Sequence, residues 1–367
     1  MKYTIDKNNR PVYLQIYKQI RQDIIDGIYH LGTKLPSMRL LSDELLVSTV
    51  TVNHAYALLC DEGYAESRER SGFFVIFQKS DGFAASVETH TEHSIVPKIN
   101  HTYPDFPFSV LAKTMRKVLS DYADVLHERS PNSGCSELRE AIKNYLIRNR
   151  GMNVESNQII IGSGAEYLYG LIITTLGRKH IYGIESPSYK KIEQIYSVAE
   201  VRYELLPLSH DGIDSSALAK TKASVIHTTP YKSFPSGITA PANKRHEYIC
   251  WSSRSGRIII EDDFESEFSV SSKPEDTLFS LSDYDNVIYM NTFSKTISPA
   301  LRVGYMVLPK CLVNEFEKKL GFYSCTVPTF EQFVIAELIN SGDFERHINR
   351  VRRSLRKKLA ESPTCYF

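Results

Sequence analysis

Short apolar runs that stop abruptly on charged or hydroxyl residues constrain this chain's fold more than any other feature. In the longer, later part of the sequence, 158–161, 180–185, 224–228, 257–261 and 287–290 are such runs, separated by stretches of helical periodicity. Strands that alternate with helices require long crossovers and so build a mainly parallel, doubly wound α/β sheet. In such a sheet ligands gather at the carboxyl ends of the strands. Asp262 follows one apolar run directly, and Lys295 follows the next.

The earlier part reads differently. Tyr13, Ile16, Tyr17, Ile20, Ile24 and Ile25 recur at helical spacing, and Gly27 closes that helix. A second helix is expected over 37–46, with Leu41 and Leu45 facing inward. Ser48 is a natural N-cap for a third, on which Val52, Ala55, Tyr56 and Leu59 form the buried stripe. Strands at 64–66 and 73–77 are joined by RERSG, where Gly72 supplies a positive φ. Three helices and a hairpin make a winged helix-turn-helix. Between the two parts, 78–100 is polar, Ser/Thr-rich and without periodicity, so it reads as a linker. The expected organisation is a winged helix at 1–77, the linker at 78–100 and the α/β unit at 101–367.

Bulk properties exclude several classes. With 367 residues, 42% hydrophobic and 24% charged, the chain can bury two ordinary cores. Its longest apolar runs are too short to span a bilayer, and MKYTIDKNNR lacks the apolar segment of a signal peptide. The six cysteines are scattered without metal-ligand spacing, which fits a reduced, cytoplasmic location and no metal. The formal net charge of +1 names no partner, and residues 1–77 balance nine Lys/Arg against nine Asp/Glu. The basic run at 346–358 is expected to be the solvated face of a long helix.

The chemistry concentrates in RIIIEDDFESEF (257–268) and NVIYMNTFSKTISPALRVGYMVLP (286–309). A cofactor with a pyridine ring, an aldehyde and a phosphate needs three matching groups. These are a carboxylate for the ring nitrogen, a lysine for the aldehyde, and a cation with small polar groups for the phosphate. Asp262, Lys295 and Arg302 are such a trio. Upstream, IIIGSGAEYL (159–168) is a strand, a glycine turn and a helix start, whose backbone N–H groups suit an anion.

These motifs carry two resemblances. PVYLQIYKQIRQDIIDGIYHLGTKLPSMRLLSDELLVSTVTVNHAYALLCDEGYAESRERSGFFV resembles a GntR-family DNA-binding domain. IIEDD, TFSK and LRVGY together resemble the fold-type I aminotransferases, and within them the MocR subgroup of GntR regulators. The first resemblance implies double-stranded DNA as partner. Arg39, at the start of the second helix, would contact a phosphate or base, Ser48, Thr49, Thr51, Asn53 and His54 would lie on the exposed face of the recognition helix, and Arg68 and Arg70 on the wing. Thr49 and His54 stand where the family usually carries arginines.

The second implies pyridoxal 5′-phosphate as an aldimine on Lys295, with Asp262 at the pyridine nitrogen. Ser163, Gly164, Ala165, Thr292, Ser294 and Arg302 would form the phosphate cup, and Tyr189 would stack on the ring. Phe264 replaces the family's usual tyrosine, and Lys232 its histidine in the 228–237 loop. Lys191 falls where some relatives hold an effector carboxylate. Relatives also form head-to-tail homodimers and carry a further small C-terminal domain. That domain's carboxylate-gripping arginine has no candidate here, so a shortened or truncated chain is expected. Three functions stay open at this stage. One is a regulator sensing an amine, amino acid or vitamin B6 ligand through Lys295. The others are a working aminotransferase and a DNA-binding protein with a cofactor-free scaffold.

Overall fold

The computed structural model describes residues 3–6, 11–69, 71–77, 103–254, 256–271 and 276–361. The expected linker at 78–100 and the wing residue Arg70 lie outside the described residues. The chain divides into two compact units, Met1–Lys98 and Ile99–Phe367.

In the first unit, α1 (Val12–Ile25), α2 (Met38–Leu45) and α3 (Thr49–Asp61) precede a hairpin of β1 (Ala65–Arg68) and β2 (Gly72–Val75). Ile16, Ile20 and Ile24 of α1 meet Leu41 of α2 and Val52, Tyr56 and Leu59 of α3 in one apolar cluster. Ser37 caps α2 rather than opening it, accepting from Leu40 N–H at 3.2 Å. Ser48 caps α3 through Thr51 N–H at 3.1 Å. Leu45, expected to face inward, is only half-buried. The hairpin pairs Ala65 with Val75 and Arg68 with Gly72, so its strands are shifted from 64–66 and 73–77. Gly72 takes φ +105°, the conformation this turn needs.

The second unit begins with α4 (Phe108–Asp121), α5 (Ser136–Arg150), β3 (Ile159–Gly162), α6 (Ala165–Leu176), β4 (Ile181–Ser186) and α7 (Lys190–Val198). Next come β5 (Arg202–Ser209), β6 (Gly212–Ile213), α8 (Ser215–Lys220), β7 (Val225–Thr228), α9 (Ala242–Ser252) and β8 (Ile258–Asp262). The remainder is α10 (Leu278–Leu281), β9 (Val287–Thr292), β10 (Gly304–Val307), α11 (Lys310–Leu320), α12 (Thr329–Asn340) and α13 (Asp343–Glu361). The sheet order is β3-β10-β9-β8-β7-β4-β5-β6. Strands β9, β8, β7, β4 and β5 run parallel, and β10 is antiparallel to both its neighbours. The link from β9 to β10 holds no α-helix, too short for a crossover, so the chain must return antiparallel. Because β10 reverses, β3 again points the same way as β9. The carboxyl ends of β3, β9, β8, β7 and β4 therefore share one edge.

Side chains alternate between two sheet faces. Ile160, Ile184, Ile260, Ile288 and Met290 pack under α6, α7 and α11. Ile159, Ile161, Tyr289, Tyr305 and Val307 pack under α5, α12 and α13 on the other face. That second face also buries charge. Arg150, the last residue of α5, lies 3.1 Å from Asp263 and 3.5 Å from Glu267, and it bonds Ser266. Tyr289 donates to Asp263 at 2.7 Å, and Asn291 to Glu267 at 2.6 Å. The basic α13 keeps most of its cations in water, Arg356 among them, while Arg352 is half-buried. Arg352 donates to the Glu267 carbonyl at 2.6 Å, and Arg356 to the Val270 carbonyl at 2.9 Å.

Replacing Arg150 with alanine leaves Asp263 and Glu267 buried without their cation. The expected loss is about 3–5 kcal/mol of stability in the second unit, measured by urea unfolding. Glu261 accepts from Leu278 and Phe279 N–H at 2.8 and 2.9 Å, yet burial, reinforced by the Asp263 charge, pushes its carboxyl up to about 8. A raised acid keeps a proton that the unfolded chain has already released. Its contribution is therefore complete below the ordinary value of 4.5 and drains away as pH rises to 8. Glu261→Gln should flatten that fall in unfolding free energy between pH 5 and 8; an unchanged slope assigns the dependence to other groups.

Candidate functional site

At the shared edge the loops converge. Ser163 and Gly164 join β3 to α6, Tyr189 precedes α7 beyond β4, and 229–237 follows β7. Asp262 ends β8, Thr292 ends β9 with Ser294 and Lys295 just beyond, and Arg302 leads into β10. The register fixes their proximity: Asp262 pairs with Met290, and Gly304 pairs with both Thr292 and Gly162.

Asp262 is nearly buried, 7% exposed, on the α6–α7 face. It accepts from the Tyr169 hydroxyl at 2.5 Å, and His227 Nε2 stands 3.6 Å from the same oxygen. Tyr196 lies 2.9 Å from His227 Nδ1. An imidazole that accepts at Nδ1 carries its proton on Nε2, toward the carboxylate. Burial, then the Asp262 charge, raises the Tyr169 phenol well above its ordinary value, so it stays a donor. Beside this group, Glu185 accepts from Thr228 Oγ1, from Thr229 N–H at 3.1 Å and from Ser233 Oγ at 2.7 Å. That carboxylate ties the start of the 229–237 loop to β4, and burial raises its pKa.

Lys295 is more open, its side chain 36% exposed. Its Nζ lies 3.1 Å from Glu265 and 4.9 Å from the Phe264 ring centre. Arg302 takes φ +50° and packs on the turn at Gly164, whose own φ is +93°. A Cβ at Gly164 would meet the guanidinium at 3.2 Å. The Arg302 guanidinium reaches Glu166 at 3.4 Å, and Glu166 also pairs with Lys191. That pairing with Lys191 lowers the Glu166 carboxyl below its usual range. Ser163 Oγ accepts from Thr326 at 3.1 Å, and Ala165 opens α6. Thr292 is buried and Ser294 half-buried. Tyr189 is exposed, with its ring 6.2 Å from Phe234, and Lys232 lies over the Tyr231 ring at 5.9 Å.

In the first unit, Arg39, Ser48, Thr49, Asn53 and His54 are exposed, and Thr51 is half-buried. Ser48 and Thr51 spend hydroxyl capacity on each other at 2.8 Å. His54 lies edge-on to Tyr13 at 5.9 Å. Arg68 is held by Glu66 at 2.7 Å and stacks on Phe74 at 4.4 Å. Lys34 approaches the same ring at 6.0 Å, a wing cation that the reading of the hairpin alone missed.

The sequence reading also passed over Tyr169, His227, Tyr196, Glu185 and Glu265. For His227 a signal existed: a lone imidazole inside the run Val225-Ile226-His227, two residues along the strand from a buried valine. The others had none, because helix and strand partners are joined only by the sheet.

Residues 12–75 match the bacterial regulatory proteins of the gntR family, and residues 100–364 match aminotransferase class I and II. The HTH-type transcriptional regulator YdeL of Bacillus subtilis, itself described as uncharacterized, is 32% identical over 360 residues, covering 95% of this chain and 78% of that protein. The probable rhizopine catabolism regulatory protein MocR of Rhizobium meliloti is 27% identical over 367 residues, covering 94% of this chain and 74% of that protein. Among solved structures, a Pyrococcus horikoshii kynurenine aminotransferase is 26% identical with a TM-score of 0.63, covering 76% of this chain and 73% of that one. The second unit thus has the fold of pyridoxal phosphate-dependent aminotransferases, and no helix among the described residues is long and apolar enough to cross a membrane. With a gntR-type winged helix ahead of an aminotransferase class I and II domain, the chain belongs to the MocR-type helix-turn-helix transcription regulators.

Proposed function

We propose that this regulator carries pyridoxal 5′-phosphate on Lys295 and reads a small amine, amino acid or vitamin B6 ligand there, altering its grip on promoter DNA. One observation carries the reading: an amine, a nearly buried carboxylate backed by Tyr169 and His227, and a guanidinium packed on a glycine turn meet at one sheet edge. The residues present fit the cofactor. A Cβ at Gly164 would crowd the Arg302 guanidinium at 3.2 Å beside the start of α6, whose backbone N–H groups suit an anion. The hydroxyl of Thr296, next to Lys295, is buried without a partner in the structure, as is His227 Nε2.

When bound, the cofactor supplies an aldehyde that bonds amines and a ring that withdraws electrons. Asp262 would hold the ring N–H, oriented by Tyr169. Arg302, Ser163, Gly164, Ala165, Thr292 and Ser294 would hold the phosphate, and Tyr189 would cover the ring. Phe264 offers no hydroxyl, which costs the site about 1 kcal/mol of hydrogen bonding. A working aminotransferase is the second reading, favoured by the same lysine, aspartate and arginine; sustained exchange between an amino acid and a keto acid would establish it.

Residues 1–77 would read double-stranded DNA, 78–100 would link, and 101–367 would bind the ligand. A homodimer acting in the cytoplasm would present two readers to repeated half-sites. A ligand can shift such a protein only by its differential affinity for two arrangements.

Borohydride treatment of the protein mixed with pyridoxal phosphate should fix the cofactor to the peptide containing Lys295, with the matching absorbance change. Lys295→Ala should lose that adduct while DNA binding persists; an adduct surviving in the variant places the cofactor elsewhere. Arg39→Ala should weaken operator binding by about 1–3 kcal/mol in a salt-titrated shift assay. Unaltered affinity and salt slope would remove Arg39 from the interface.

A further inference from the structure

The carboxylate of Glu166 divides its two oxygens between two cations. Oε2 lies 3.4 Å from Arg302 Nη2, and Oε1 accepts from Lys191 Nζ. Glu166 stands in the first turn of α6, two residues after Gly164, on whose turn Arg302 packs. An acid there suits the helix dipole, but it also sits where that helix would otherwise meet an added anion. Lys191 arrives from the start of α7 and lies 5.9 Å from the Tyr189 ring centre. Its hydrogen bond holds the Glu166 carboxyl below its usual range, so the negative charge is present at neutral pH. The two contacts differ in quality. The pair with Lys191 is short, whereas 3.4 Å is long for a charge-assisted hydrogen bond to Arg302. Arg302 is therefore held loosely, by an anion that the chain itself supplies.

Resting on the cofactor reading above, we infer that Glu166 is a built-in competitor of the cofactor's phosphate for Arg302, and that Lys191 limits how strongly it competes. A phosphate at the Gly164 turn needs the Arg302 guanidinium and is repelled by the carboxylate beside it. Arg302 and Lys191 bring two positive charges to this place, and Glu166 cancels one of them. As Arg302 turns to the phosphate, Lys191 keeps the carboxylate paired, so giving up the guanidinium leaves no anion without a cation. Lys191 is thereby engaged by Glu166 rather than left open for an effector carboxylate. All three side chains are at least 38% exposed, so the competition is modest and weakens as salt is added. The consequence is a cofactor that exchanges more readily with its free pool than Arg302 and the helix N-terminus alone would allow.

The test uses the full chain, after borohydride and peptide mapping have verified the Lys295 adduct in the parent protein. Absorbance titrations at low salt give dissociation constants for pyridoxal 5′-phosphate and for pyridoxal, which has the aldehyde and ring but no phosphate. Glu166→Gln, nearly isosteric, should tighten the phosphorylated form by about threefold or more and leave pyridoxal unmoved. Lys191→Met should weaken the phosphorylated form by about twofold or more in the parent, and by clearly less in the Glu166→Gln background. Should the glutamine variant fail to bind pyridoxal as the parent does, Glu166→Ala is read in the same way. Weaker binding of the phosphorylated form by the Glu166 variant overturns the inference, because Glu166 would then be positioning Arg302 rather than competing for it. An unchanged constant overturns it too, as does an equal shift for pyridoxal. An equal cost of Lys191→Met in both backgrounds removes Lys191 from the competition. A missing adduct in the parent protein is a separate result that removes the cofactor reading itself, and this inference with it.

Discussion

The end of strand β8 and the residue after it carry three consecutive acids, Glu261, Asp262 and Asp263, into the interior of the second unit. Burying one carboxylate without compensation is costly, and burying three in a row is tolerable only if each has its own partners. Period-two alternation supplies the separation. Glu261 is held by two backbone N–H groups, Asp263 by Arg150 and Tyr289, and Asp262 alone turns toward Tyr169 and His227. A slip of one residue would exchange these environments and strand every acid, so the charge pattern pins the register that aims Asp262.

From that register the rest of the site follows. The parallel pairing of β8 with β9 puts Asp262 and the segment carrying Lys295 at the same sheet edge, and the reversal at β10 returns Arg302 to the turn at Gly164. Glu185 ties the loop after β7 to β4 from beneath. The network of Arg150, Glu267, Arg352 and Asn291 holds the segment after Asp262, which carries Phe264 and Glu265. Cation placement is equally economical in the first unit, where Arg68 and Lys34 flank Phe74 on the hairpin. With Lys/Arg and Asp/Glu balanced there, such positioned cations matter more than net charge.

Much of the fold was legible because burial writes itself into short windows. The apolar runs at 225–228, 258–262 and 287–292 are buried along their length, or nearly so, and could be read without any partner. The strand Arg202–Ser209 escaped notice because it lies toward the sheet edge and is half-exposed, mixing Arg, Glu and Pro among its apolar residues. Gly304–Val307 was taken only as part of a motif, and its direction is a property of a connection rather than of its own residues.

By itself the sequence determined the two kinds of unit, the helix cap at Ser48, and the candidate trio of Asp262, Lys295 and Arg302. Each of these is written in residues that are neighbours along the chain. Only the tertiary structure decided what surrounds that trio: Tyr169 and His227 behind Asp262, Glu166 on Arg302, and Glu265 with Tyr103 about Lys295. Tyr103 and Glu265 stand 162 residues apart. No local preference relates positions so distant; only the folded second unit brings them within hydrogen-bonding reach.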